Sequence, residues 1–99
     1  MNDLVVYAEA DGIATLTLAN GKVNAFSPDL IASFNRALDQ AEQAGAVVIV
    51  TGQSGILSGG YDLKVMQSSP QAALDLVAAG STLTRRMLAH PQPIIIACP

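Results

Sequence analysis

The chain has no tryptophan, one cysteine, one histidine, two tyrosines and two phenylalanines. Each scarcity removes a class of function. A single Cys98 cannot close an intramolecular disulfide, and its place in the apolar run from Ile94 predicts a buried structural thiol in a reducing compartment. One histidine and one cysteine without paired spacing support no metal site. Tyr7, Phe26, Phe34 and Tyr61 are too scattered to form a base-stacking platform. Charge is also scarce: charged residues make up 13 % of the chain, five Lys and Arg stand against eight Asp and Glu, and the formal net charge is −3. The one adjacent basic pair is Arg85-Arg86, whereas phosphate binding needs clustered cations, so no nucleic-acid partner is expected. No run approaches the roughly 18 apolar residues that cross a bilayer, and Met1-Asn2-Asp3 lacks the pattern of a signal peptide. These features predict a cytoplasmic, soluble protein without a membrane partner.

What is present is apolar. The hydrophobic fraction is 51 % over 99 residues, where an ordinary soluble domain carries about 25 % charge. The length suffices for one small domain or part of a larger one. So little polar surface predicts an incomplete domain or a face covered by another chain.

Leu4 to Ala8 and Ile13 to Ala19 are β-prone, and the intervening Glu9-Ala10-Asp11-Gly12 carries a hairpin signal. Ile13, Thr15 and Thr17 alternate with Ala14, Leu16 and Leu18, as in a strand with one packed face. Ser27-Pro28-Asp29 opens a helix, with Leu30, Ile31, Phe34, Leu38 and Ala41 at helical spacing and Gly45 placed to end it. Ala46 to Val50 reads as a parallel strand buried on both faces. Ser69-Pro70 opens a second helix with a stripe through Leu76, Val77, Leu83, Met87 and Leu88, interrupted by Gly80, where a close packing contact is expected. Ile94 to Cys98 follows as another buried strand. The predicted order is ββαβαβ, an α/β fold. The chain stops one residue after a core strand with no returning helix, which predicts that residues 1–99 are the N-terminal part of one truncated domain.

The segment from Thr51 to Lys64 is richest in chemistry. Loops at the carboxyl ends of parallel strands hold ligands, and adjacent glycines let main chain approach them. Gly55 and Gly60 stand at the glycine positions of a phosphate loop, but Tyr61-Asp62 replaces its Lys-Ser/Thr, which argues against nucleotide hydrolysis. Alone, the segment reads equally as a connector between strand and helix. Asp62 is the one carboxylate in the loop and favours a helix-start role over that of a general base. Ser58 lacks a visible base partner for a nucleophile, and His90 sits at a helix end.

Lys22-Val23-Asn24-Ala25-Phe26, the capped helix, the strand ending in Thr51-Gly52, Leu57-Ser58-Gly59-Gly60-Tyr61-Asp62-Leu63-Lys64 and the closing Pro93 to Pro99 occur together in one order. In that order and spacing the chain resembles the crotonase superfamily, the enoyl-CoA hydratase/isomerase family. The resemblance covers essentially the whole chain and implies the N-terminal portion of a crotonase-like ββα spiral. It further implies an acyl-CoA thioester substrate and no cofactor, coenzyme A entering as part of the substrate. A homo-oligomer, trimer or hexamer, is implied too.

Family members stabilise an enolate-like oxyanion with two backbone N–H groups. By resemblance one donor is the amide of Tyr61, following the Gly59-Gly60 step, while the second donor and the acid/base carboxylates lie beyond Pro99. Lys22, Asn24 and Ala25 match the loop along the CoA moiety, Asp62, Leu63 and Lys64 match residues flanking the thioester and pantetheine, and Gly60 and Tyr61 join the implied substrate-binding set. Lys22 and Lys64 read equally as CoA-phosphate contacts and as solvated charges. The pattern is broken at Tyr61, where hydratases usually have alanine; the amide is kept but the acyl pocket is reshaped. The alternative is a noncatalytic CoA-binding or assembly module on the same fold.

Overall fold

The structure, a computed structural model, describes residues 3–99. Its elements are β1 (Val5–Ala10), β2 (Ile13–Leu18), α1 (Pro28–Ala44), β3 (Val47–Thr51), α2 (Leu63–Ser68), α3 (Pro70–Leu88) and β4 (Ile94–Ile96). The expected ββαβαβ order is therefore present, with the short α2 added before α3. One four-stranded sheet has the order β1-β2-β3-β4. Its first pair is antiparallel and the other two are parallel.

Local chemistry explains the elements. Asp11 and Gly12 both take positive φ, 54° and 78°, the conformation of a two-residue hairpin turn whose twist matches that of its strands. Because two residues suffice, Glu9 and Ala10 join β1 instead of the turn, and Ala10 pairs with Ile13. At the start of α1 the Leu30 N–H donates to Ser27 Oγ over 3.1 Å. At its end Gly45 has φ 63°, which brings the Ala46 N–H to Ala41 O at 3.0 Å and closes the last turn.

The core lies between the sheet and α1. Ala14, Leu16 and Leu18 from β2 and Val48 and Val50 from β3 meet Leu30, Ile31, Phe34, Leu38 and Ala41 from α1, all buried. Full burial of each large member contributes about 1.5–3 kcal/mol. Helix α3 packs on α1 and closes the far end of this layer with Leu76 and Leu83. Arg86 of α3 ties the helices by donating to Asn35 O and Oδ1, each at 3.1 Å, and to Asp39 Oδ1.

Three expectations are corrected. Strand β3 is buried on alternate residues only, Val47 and Ile49 being half-buried. Both crossovers step the same way across the sheet, so with a common hand their helices fall on one face and leave the other uncovered among the described residues. Strand β4 ends at Ile96 and is an edge strand, with Ile95 and Ile96 exposed; Cys98, beyond its ladder, is exposed too. The stripe of α3 is rotated: Leu76, Gly80 and Leu83 are buried, Met87 is partly covered, and Val77 and Leu88 are exposed. No helix among the described residues is long and apolar enough to cross a membrane.

Candidate functional site

Two loops leave the carboxyl ends of neighbouring parallel strands, residues 19–27 after β2 and residues 52–62 after β3, the edge of an α/β sheet where ligands collect. They are joined along their length. Gly59 N donates to Val23 O at 2.7 Å, Phe26 N to Gly60 O at 2.8 Å and Asp62 N to Phe26 O at 2.9 Å. Ser58 Oγ donates to Asn24 O at 2.7 Å and accepts from Gly60 N at 3.0 Å. Ser58 is thus a staple within the loop.

Asn24 holds this junction from inside. Its side chain is fully buried and its φ is 49°, a left-handed conformation that asparagine tolerates better than most residues. Oδ1 accepts from Asn20 N at 2.7 Å and from Gln53 Nε2 at 3.0 Å, while Nδ2 donates to Leu57 O at 3.2 Å. Gln53 Nε2 also donates to Gly21 O at 2.7 Å. Asn24 was singled out in the sequence as a ligand-side residue; in the fold its polar atoms are engaged with protein groups. Gln53 was not singled out, since nothing in a linear pattern marks a glutamine that reaches across to the preceding loop.

Glycine is needed at this crossing for two reasons. A Cβ on Gly59 would stand 3.3 Å from both the Cβ and the carbonyl oxygen of Val23, and Gly60 has φ +97°, where other residues are strained. The chain then pairs Phe26 with Tyr61 in an isolated parallel bridge. Phe26 donates to Gly60 O and accepts from Asp62 N, so the N–H of Tyr61 is directed away from Phe26. Gly59, Gly60 and Asp62 N–H groups all have acceptors; that of Tyr61 has none among the described residues.

Asp62 caps α2, its Oδ1 accepting from Lys64 N at 2.9 Å and Val65 N at 3.4 Å. That is the helix-start role its position predicts. Lys22, Leu63 and Lys64 are exposed and Ala25 is half-buried, so Lys22 and Lys64 stand at the solvent-exposed rim of the loops.

Beside these loops lies a cavity of about 360 Å³ walled by Leu18, Phe26, Phe34, Val50, Leu57, Ser58, Gly60, Tyr61, Gly80, Leu83, Thr84, Met87 and Ile96. Apolar side chains dominate it, and it suits an acyl chain better than a charged group. Phe34, Gly80, Leu83 and Met87 of this wall read in the sequence as core or packing positions and not as a cavity lining, because core periodicity and cavity periodicity are the same pattern. Gly80 does make the close contact expected of it: a Cβ there would lie 2.8 Å from Tyr61 Cε1 and 2.9 Å from Cζ. That contact accounts for a helical glycine that is otherwise up to about 1 kcal/mol less favourable than alanine.

Other candidates lie elsewhere. His90 Nε2 is 3.4 Å from Ala46 O at the opposite end of the sheet from the loops. Among the described residues no group of three or more His, Cys, Asp or Glu can hold a metal ion. One ionisation is displaced: partial burial, then the hydrogen bond to Glu9 and the charge of that carboxylate, push the Tyr7 phenol up to about 12. Tyr7 Oη donates to Glu9 Oε1 at 2.7 Å on β1, away from the cavity.

Comparison with known proteins gives a consistent picture. The family model described as enoyl-CoA hydratase/isomerase matches residues 8–98. A crystal structure of an enoyl-CoA hydratase/isomerase family protein from Pseudomonas syringae is 73 % identical and superposes with a TM-score of 0.97, covering 98 % of this chain and 42 % of that one. An enoyl-CoA isomerase of Mycobacterium tuberculosis is 35 % identical with a TM-score of 0.89, over 97 % of this chain and 42 % of that one. Enoyl-CoA delta isomerase 3 of Arabidopsis thaliana is 34 % identical over 89 residues, 83 % of this chain and 37 % of its own length. The chain thus spans about two-fifths of these relatives, and 8 % of the glyoxysomal fatty acid beta-oxidation multifunctional protein MFP-a of Brassica napus.

Proposed function

The chain belongs to the enoyl-CoA hydratase/isomerase family, and on that premise we propose that the complete protein hydrates or isomerises an acyl-CoA thioester, with the Tyr61 main-chain N–H as one of two oxyanion donors. The observation that carries this reading is the unpaired amide. Of the four N–H groups from Gly59 to Asp62, three have acceptors and that of Tyr61 has none among the described residues, beside an apolar cavity.

Adding water across a double bond conjugated to a thioester, or moving that bond, places negative charge on the carbonyl oxygen. An amide held in place before the reaction stabilises that charge without reorganising, and its loss costs about 2.7–4 kcal/mol of barrier. The bridge to Phe26 and the buried Asn24 junction hold the amide in place. Lys22 and Lys64 attract the phosphates of coenzyme A, and the cavity takes the acyl group. The second donor and the acid/base carboxylates belong to the rest of the domain, so residues 1–99 by themselves bind without turning over.

The test is an assay of the complete protein on a panel of 2-enoyl and 3-enoyl CoA thioesters, with an ester in place of the amide at residue 61. This exchange deletes one N–H and leaves the side chain intact. A fall in kcat of about 100- to 1,000-fold is expected; unchanged turnover would falsify the oxyanion role. Calorimetric binding of coenzyme A without turnover of any thioester favours the noncatalytic module.

A further inference from the structure

Building on the acyl-CoA reading, we propose that Tyr61 and Gly80 form a matched pair that sets how long an acyl group the cavity admits. The ring of Tyr61 crosses from the loop after β3 to the middle of α3 and lies in the notch left by the missing side chain of Gly80. The three atoms nearest to a Cβ at position 80 all belong to this ring, Oη the nearest of them. Both residues line the cavity.

Three of the other large walls are fixed. Leu18, Phe34 and Leu83 are 1 %, 1 % and 3 % exposed and are locked in the core, where close packing resists displacement. Tyr61 stands on a loop and is 38 % exposed. Its Oη has no hydrogen-bond partner among the described residues, so packing on Gly80 is what positions the ring. Seated against Gly80, Tyr61 is therefore a wall residue whose size sets the depth available along α3, and Gly80 fixes how far the ring withdraws. The pair influences which thioester is accepted through side-chain volume, separately from the main-chain N–H at the same residue.

The test uses the complete protein and compares kcat/KM for short-chain and long-chain 2-enoyl-CoA thioesters. Tyr61→Ala raises the long-to-short ratio by at least about tenfold, because a single methylene admitted or rejected by an apolar pocket changes kcat/KM by about 10- to 200-fold. Tyr61→Leu moves the ratio the same way and serves if the alanine variant does not fold; Tyr61→Phe does not move it. Gly80→Ala drives the ring into the cavity and lowers the ratio and Tm. In the Tyr61→Ala background the same Gly80→Ala change raises Tm, because the obstacle is gone and alanine is the better helix former. That sign reversal reads the contact independently of activity. Turnover with an unchanged ratio, or additive Tm shifts, overturns the pair while leaving the acyl-CoA reading intact. Failure to turn over any thioester overturns both.

Discussion

At the residue scale, Asn24 does most to hold the site together. Its side chain joins Asn20, Gln53 and Leu57, three partners from both loops, in a place closed to water. Asn24→Gly keeps the left-handed backbone and removes only those bonds. A buried polar group left without a partner costs about 1–3 kcal/mol, so chemical denaturation is expected to show a loss of about 2 kcal/mol or more. Tyr7 supplies a second prediction. Its pKa is raised from 10.0 to about 12 in the fold, so the neutral phenol is the favoured form. The corresponding stability is fully present below pH 10 and is lost as pH rises through 12. Tyr7→Phe is expected to flatten the fall in Tm over that window; an unchanged alkaline limb would show that Glu9 and burial do not act on this phenol.

At the scale of elements, α1 is defined by its two ends and one face. Gly45 takes φ +63°, and a Cβ there would meet nothing within 4 Å. The effect of Gly45→Ala is therefore conformational alone, a destabilisation of about 1–2 kcal/mol from forcing an L residue into the left-handed region. Ser27→Ala removes the cap and costs about 1 kcal/mol. The sites are at opposite ends of α1, so the double variant should lose the sum of the two in urea melts. Helix α3 follows a different logic. Its N-terminal cap at Ser69 is clear from the sequence, but which stripe faces inward depends on the elements it packs on, α1 and α2, contacts with no sequence period. For that reason Val77 and Leu88 are found outside.

At the scale of the whole molecule, one layer of helices covers one face of the sheet. Val6, Ile13 and Ile95 stand 55 %, 41 % and 52 % exposed, and Leu88 on α3 is 84 % exposed. Large apolar side chains left exposed in this way favour association. The 99-residue chain on its own is expected to sediment as more than a monomer, in a concentration-dependent way, and to bind an apolar dye. Leu88→Lys combined with Ile95→Lys should reduce both signals. An unchanged sedimentation profile would place the association elsewhere, such as the open edge of β4.

Much of this molecule is set by neighbours along the chain. The Asp11-Gly12 turn, the Ser27 and Ser69 caps, the Gly45 stop and the buried alternation of β2 depend on residues within a few positions of one another, so they are legible from order alone. The order of motifs likewise places Gly60 and Tyr61 in the loop that follows a parallel strand and Asp62 at a helix start. Tertiary structure alone decided the rest. Whether a strand is covered on one face or two depends on where distant helices land, which left β3 half-covered and Ile95, Ile96 and Cys98 exposed. Whether an amide is free depends on which neighbours already have acceptors, and Phe26, 35 positions before Tyr61, settles that by bonding to the residues on either side of it. Local propensity acts through torsions and short-range hydrogen bonds, whereas burial and pairing are properties of the packed whole.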